Sequence, residues 1–150
     1  MDNNNKHIVF VYGSLKSGFG NHVLFQQSPT SSYLGQGTTA QSAYDMFSFG
    51  AFPACVKNHT DAAHKISGEV YSVDAHTFQK LDRLEGNGRF YLREQVEVEV
   101  DGNIQQAWMY LLLGTPPSSK ERVESLRDGT LKWAHRNHSY DIIQSNSRTY

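Results

Sequence analysis

The stretch HIVFVYGSLKSGFGNH, residues 7–22, decides how the rest of this chain is interpreted. Residues 8–12 (IVFVY) form an unbroken β-branched and aromatic run, which is typical of a strand buried on both faces. The run ends at Gly13, and two further glycines follow within seven residues. Glycine lets a backbone approach a ligand closely, and successive free N–H groups in such a turn can bind an anion. The stretch therefore predicts either a ligand cradle or an ordinary surface turn.

Two familiar nucleotide-binding loops do not fit this stretch. Gly13 and Gly18 have the spacing of a P-loop, but Phe19 follows where that loop needs a lysine. A dinucleotide-binding fingerprint needs a third small residue after Gly20, and Val23 stands there instead. The cradle, if it is one, is of another kind.

Composition limits the possible functions. With 150 residues the chain suits one domain, which we expect to span residues 1–150 with flexible ends at 1–6 and 144–150. The formal net charge of -1 gives no general attraction to nucleic acid or an acidic membrane. Cys55 is the one cysteine, so no disulfide within the chain is possible. Without an apolar leader or span, we expect a cytoplasmic protein with no membrane association.

The remaining chain is rich in strand patterns. Residues 66–73 and 91–100 alternate between apolar and polar positions, and Asp101-Gly102 predicts a hairpin turn into a strand over 104–113. Helical signals are few: a short helical segment over 22–27, a helix over 75–85 with Asp74 as its N-cap, and a short helix over 118–126 from a capping-box pattern. The expected fold class is α+β, with a small mixed barrel-like sheet and a few short helices.

Glu85 occupies an unusual position on the first of these helices. Phe78 and Leu81 begin its apolar stripe, and Glu85 lies about 20° from Phe78 around the helix axis. A carboxylate that faces the core, in a last helical turn, should have a raised pKa. Such a carboxyl can act as acid and base near neutral pH. Alternatively, Glu85 flanks the helix end and reaches solvent past Gly86.

Three short motifs together resemble the γ-glutamylcyclotransferase-like family, which includes γ-glutamylamine cyclotransferases and plant avirulence-induced proteins. The motifs are YGSL at residues 12–15, GEVY at 68–71 and LDRLEG at 81–86. The resemblance runs from about residue 8 to residue 113. It implies a small barrel-like fold with a pocket at one end, no metal and no cofactor.

The resemblance also implies roles for named residues. Glu85 would be the catalytic acid and base, and the backbone of Tyr12, Gly13, Ser14 and Leu15 would hold a γ-glutamyl group. Tyr91 matches a pocket tyrosine of the family, although it could instead be a core aromatic. The implied reaction cyclises a γ-glutamyl amine or γ-glutamyl amino acid to 5-oxoproline and frees the attached amine.

Departures from the family pattern leave the substrate open. Leu15 favours γ-glutamylamine-type substrates, whereas a C-terminal Gly-Asp-Trp of the family is only approximated by residues 128–133 (DGTLKW). A second hypothesis is therefore a binding module that uses the same pocket without catalysis. A weaker third is a structural or regulatory role for the aromatic patch at residues 47–52. The expected partner is a small γ-glutamyl molecule, and the chain is expected to be a monomer or weak dimer.

Other chemistry-bearing residues have plain alternatives. Lys16 either attracts a substrate carboxylate or is an exposed loop lysine. Asp82 is expected to be structural, as a cap or a partner of Arg83 or Arg89. Residues His135 and His138 have helical spacing but lack a supporting acidic or cysteine ligand, so no metal site is predicted.

Overall fold

The computed structural model of the chain describes residues 6–13, 15–16, 20–57 and 62–134. The segments expected to be flexible, 1–6 and 144–150, lie outside these residues except for Lys6, which begins the first strand. The predicted histidine pair at 135 and 138 also lies outside them. Every helix in the described ranges is too short and too polar to cross a bilayer.

Strands dominate the described chain. The elements are, in order, β1 (Lys6–Val11), a single 3-10 turn (Gly20–His22), α1 (Val23–Gln26), β2 (Ser32–Thr39), β3 (Tyr44–Ser48), β4 (Pro53–Lys57), β5 (Ser67–Asp74), α2 (Ala75–Glu85), β6 (Tyr91–Val100), β7 (Asn103–Leu112), β8 (Val123–Ser125) and β9 (Leu131–Trp133).

Five of these strands close into a barrel in the order β1-β5-β2-β6-β7. Neighbouring strands are antiparallel except at the closure, where β1 runs parallel to β7 with Val9 opposite Trp108. The pairs β3–β4 and β8–β9 form separate two-stranded sheets. This mixed barrel with few short helices confirms the predicted α+β fold class.

Strand β1 is buried on both faces because it lies between two hydrophobic clusters. Phe10 belongs to the cluster with Met46 and Met109, whereas Val9 and Val11 belong to the cluster that includes apolar residues of α2. All three β1 residues are at most 3% exposed. An unbroken apolar run is the pattern that such two-sided burial requires.

Helix α2 begins and ends where the sequence predicts. The Asp74 side chain accepts a hydrogen bond from the Thr77 backbone N–H at 2.7 Å, which satisfies one of the free donors of the first turn. Gly86 ends the helix in the left-handed conformation, with φ 62° and ψ 48°. Phe78 and Leu81 are buried, and α2 packs on β1 and β5. Because the apolar stripe packs against these strands, the last turn of α2, which includes Glu85, lies near the end of β1.

The helix predicted over residues 118–126 is wrong. The segment makes a turn at Arg122, whose φ is 68°, and continues into the short strand β8. Lys120 forms an ion pair with the buried Asp45 and donates to the Met46 backbone carbonyl at 2.7 Å. These contacts with β3 outweigh the local capping pattern, because tertiary packing overrides a weak helical propensity.

Candidate active site

A cavity of about 450 Å³ opens where the end of β1 meets the end of α2. Its other walls come from the turn between β3 and β4, the start of β6 and one residue of β7. Of the residues predicted for the site, the cavity is lined by Tyr12, Gly13, Leu15, Glu85 and Tyr91. Ser14 lies outside the described residues. Chain segments that are more than 70 residues apart in sequence therefore meet at one concave surface.

Glu85 is the acidic group of this cavity. It is the last residue of α2 and is half-buried. No described residue donates a hydrogen bond or forms an ion pair with its carboxylate. Loss of solvation by burial raises the pKa of Glu85 to about 7. The carboxyl can therefore be populated in both protonation states near neutral pH, which a group that alternates as base and acid requires.

The tyrosines of the cavity have their hydroxyl groups bound to backbone. Tyr12 donates to the carbonyl of Tyr110 at 2.6 Å and accepts from the Cys55 backbone N–H at 3.1 Å. Tyr91 donates to the carbonyl of Pro53 at 2.7 Å. Burial raises the pKa of both phenols, so they stay neutral. Their rings form walls, and their hydroxyls fix β1, β4 and β7 around the cavity.

Asp82 holds the helix end against β6 and β7. Its Oδ1 accepts from the Arg93 Nε at 2.9 Å and from the Tyr110 hydroxyl at 2.5 Å. The Asn87 side chain accepts from the Arg93 backbone N–H at 3.0 Å. The structural role expected for Asp82 agrees with these contacts, but the predicted partners Arg83 and Arg89 are wrong. The true partner lies on the next strand, which sequence distance alone could not indicate.

The loop after β1 approaches β4 closely. A Cβ atom on Gly13 would lie 2.8 Å from two ring carbons of Pro53, so only glycine fits there. The Gly13 carbonyl accepts from the Lys16 N–H at 3.0 Å, and the Leu15 carbonyl lies 3.0 Å from the His22 Nδ1. Among the described contacts, no acceptor faces the backbone N–H groups of Gly13 or Leu15. These two donors are therefore available to a ligand oxygen.

Lys16 does not line the cavity, and it is not an exposed loop lysine. It is 6% exposed, and its Nζ donates to the Trp133 carbonyl at 2.9 Å. Burial lowers the pKa of Lys16 to about 8, with Lys132 adding to the effect. Both sequence interpretations of Lys16 are wrong, because closure of the fold covers this loop with β9.

The mouth of the cavity contains residues that sequence reasoning did not assign to the site. They are Ala51, Phe52, Arg83, Leu84 and Phe90. The aromatic patch at residues 47–52 is the sequence signal that points to Ala51 and Phe52. Nothing in the sequence indicates that this patch lies beside Glu85. Among the described residues, no group of three or more His, Cys, Asp or Glu side chains could hold a metal ion.

Comparison with known proteins finds relatives in sequence and in structure. A model of the family described as "Gamma-glutamyl cyclotransferase, AIG2-like" matches residues 9–140. A Vibrio cholerae protein, named provisionally as a γ-glutamylcyclotransferase, is 37% identical over 123 residues, which are 82% of this chain and 92% of that protein. A rat protein named γ-glutamylaminecyclotransferase is 33% identical over 61% of this chain and 63% of its own length.

Among solved structures, a mouse AIG2-like protein superposes with a TM-score of 0.66 at 26% identity. The match covers 76% of this chain and 82% of the mouse chain. The family model spans most of the barrel, the loop after β1 and the whole of α2. By its sequence and its fold, this chain belongs to the γ-glutamyl cyclotransferase, AIG2-like family.

Proposed function

We propose that the protein is a cyclotransferase that converts a γ-glutamyl amine or γ-glutamyl amino acid to 5-oxoproline and a free amine. Glu85 acts as the general base and acid, and the loop of Tyr12, Gly13, Ser14 and Leu15 holds the γ-glutamyl group. The observation that carries the proposal is the half-buried carboxyl of Glu85, with a pKa of about 7, in the cavity that this loop lines.

The reaction is a displacement within one molecule. The α-amino nitrogen attacks its own γ-carbonyl carbon, so a new C–N bond closes the five-membered lactam and the original amide C–N bond breaks. The α-ammonium gives up two protons in total, and the departing nitrogen takes up two. Glu85 accepts a proton before attack and delivers one to the leaving nitrogen, so that it returns to its starting state. Atoms and charge balance without a co-reactant.

Binding supplies the other part of the acceleration. The extended substrate must curl until its amine lies close to its γ-carbonyl, and a rigid cavity favours that geometry. The walls are rigid because the hydroxyls of Tyr12 and Tyr91 are bound to backbone carbonyls. The free N–H groups of Gly13 and Leu15 are suited to hold either the developing oxyanion or the substrate carboxylate. Tyr91 acts as a wall beside Glu85.

The direct test is 5-oxoproline release by the purified protein from γ-glutamyl amino acids, γ-glutamyl-ε-lysine and glutathione. We expect Glu85→Gln to lower kcat about 10²–10⁴-fold, the usual contribution of general acid–base catalysis. Glu97→Gln, the same substitution at an exposed site on β6, is the matched control and should retain activity. In the wild type, kcat/KM should fall as the pH drops below about 7, because Glu85 becomes protonated.

Full turnover by Glu85→Gln would disprove the role of this residue. Silence on the whole panel, with binding of one compound retained, would favour the alternative of a non-catalytic binding module. The cytoplasmic location and the monomer or weak dimer stay predictions. Light scattering of the purified protein measures the second of these.

A further inference from the structure

Three phenylalanines form an exposed cluster, in which Phe52 and Phe90 line the cavity and Phe49 packs on both. We define the aromatic rim as Phe49, Phe52 and Phe90, which are 38%, 36% and 38% exposed. Their ring centroids lie 5.1 Å (Phe49–Phe52), 5.4 Å (Phe49–Phe90) and 5.9 Å (Phe52–Phe90) apart. A clustered apolar surface that borders a pocket marks a binding surface more often than a scattered exposed side chain does.

The backbone holds this rim in place without a ligand. The Phe49 N–H donates to the Phe52 carbonyl at 2.9 Å, which closes the turn between β3 and β4. The Phe90 N–H donates to the Gly86 carbonyl at 2.9 Å, which fixes the turn after α2. A preformed apolar surface binds with less loss of conformational entropy than one that must be assembled.

The rim is exposed, whereas Tyr12 and Leu15 of the loop after β1 are buried. Tyr12, Leu15 and Tyr91 line the cavity and are each at most 6% exposed, and we call these buried wall residues the floor of the cavity. Phe52 and Phe90 of the rim line the same cavity as Glu85, so the rim and the carboxyl border one space. A γ-glutamyl group held on the floor would therefore direct its leaving group past Glu85 and onto the rim.

The cavity that the rim borders is also lined by a positively charged side chain, that of Arg83. Arg83 is exposed and lines the cavity, and no described residue forms an ion pair with it. Among the described lining residues, Arg83 and Glu85 are the charged ones. A carboxylate on the leaving group would be attracted to Arg83, whereas a second ammonium on the leaving group would meet a like charge.

We propose that this surface selects the leaving group, and that the preferred substrate is a γ-glutamyl amino acid with a large apolar side chain. The apolar side chain packs on the aromatic rim and on Leu84, and the α-carboxylate of the leaving amino acid pairs with Arg83. This inference rests on the proposed function and specifies the substrate class of the same site. It places the specificity determinants on the turn before β4, on the last turn of α2 and on the turn after α2.

The test compares four substrates on the wild-type protein. They are γ-glutamylphenylalanine, γ-glutamylphenethylamine, γ-glutamylglycine and γ-glutamylputrescine. The first differs from the second by the carboxylate that Arg83 would bind, and from the third by the ring that the rim would bind. We expect kcat/KM to be highest for γ-glutamylphenylalanine, about tenfold above γ-glutamylglycine from partial burial of a ring, and lowest for γ-glutamylputrescine.

Two variants assign the preference to its residues. Phe52→Ala should lower the phenylalanine-to-glycine ratio of kcat/KM about threefold, which is part of the roughly tenfold preference, mainly through a higher KM for γ-glutamylphenylalanine. Arg83→Gln should lower the ratio of γ-glutamylphenylalanine to γ-glutamylphenethylamine about fivefold, as expected for one exposed ion pair. Tyr33→Ala and Arg89→Gln are the matched controls, because both side chains are exposed and neither lines the cavity.

Each outcome separates this inference from the proposed function. Release of 5-oxoproline that depends on Glu85, at equal efficiency from glycine, putrescine and phenylalanine substrates, would overturn the inference alone. Absence of release from every substrate would overturn the proposed function. In that case the dissociation constants of the four γ-glutamyl compounds are measured by calorimetry. Equal dissociation constants for all four compounds would overturn the inference as well.

Discussion

At the scale of single residues, Glu85 illustrates how a site group can oppose folding. Its ionised form is half-buried and has no hydrogen-bond donor among the described residues. The unfolded chain has the ordinary glutamate pKa of 4.5, whereas the folded protein has about 7. Between these values the folded state binds more protons than the unfolded state. The free energy of unfolding therefore falls as the pH rises through this window.

Replacement of Glu85 should remove the loss of stability that the buried, ionised carboxylate causes. We expect Glu85→Gln to be more stable than the wild type at pH 8 by about 1–3 kcal/mol, after allowance for partial exposure. The difference should shrink toward pH 5, where the folded wild-type carboxyl is already protonated. Urea unfolding at the two pH values measures it, with Glu97→Gln as the control. A pH-independent difference between wild type and Glu85→Gln would show that Glu85 has an ordinary pKa.

At the scale of secondary-structure elements, the site depends on how closely the loop after β1 approaches the start of β4. Pro53 contributes twice: its ring leaves no space for a side chain at Gly13, and its carbonyl accepts the Tyr91 hydroxyl. Proline can stand there because it is the first residue of an edge strand, where its missing N–H costs nothing. The floor of the cavity therefore depends on packing between the loop after β1 and the start of β4.

A methyl group at this contact should disturb both stability and binding. We expect Gly13→Ala to lower the free energy of unfolding by about 1–3 kcal/mol, because two ring atoms of Pro53 must move. Gly114→Ala is the matched control, since nothing lies within 4 Å of its added Cβ. Urea denaturation of both variants measures the effect. If both lose equally little stability, the close approach at Gly13 is not as tight as described.

At the scale of the whole molecule, barrel closure joins the first strand, β1, to β7. The parallel pairing of β1 with β7 brings the first strand beside residues about 100 positions later. Lys16 then reaches the Trp133 carbonyl, a contact across 117 positions. The loop that forms the cavity floor is therefore fixed by β9 from behind. A substitution near Trp133 is therefore expected to alter the position of this loop in the site.

Because Lys16 is buried, its contact with Trp133 should make the free energy of unfolding depend on pH. The pKa of Lys16 is lowered to about 8 from 10.5, so between these values the unfolded chain binds more protons and stability gains as the pH rises. We expect the free energy of unfolding of the wild type, relative to Lys16→Met, to increase between pH 8 and pH 10. The increase is at most about 1.4 kcal/mol per pH unit. Urea unfolding measures it.

Lys80→Met serves as the control for this prediction, because Lys80 lies on α2 away from the loop and is partly exposed. The same unfolding measurement on Lys80→Met shows what the loss of a lysine outside the loop does to stability over this pH range. A flat difference for Lys16→Met would contradict the buried position of Lys16.

What the sequence alone determined are the features governed by neighbours in the chain. The two-sided burial of β1, the caps of α2 and the hairpin turn at Asp101-Gly102, with φ of 53° and 80°, follow from local patterns. Helical periodicity placed Glu85 near the apolar stripe of α2, but it left open whether the side chain faces the core or reaches solvent past Gly86.

What only the tertiary structure decided are the contacts between distant segments. Burial of Lys16, the choice of Arg93 as partner of Asp82, and the turn and short strand in place of a helix over residues 118–126 all depend on packing between separate elements. The aromatic rim is of the same kind, since Phe52 and Phe90 come from different turns. Local propensities differ by less than the free energies of such tertiary contacts, so these features could not be derived from sequence order.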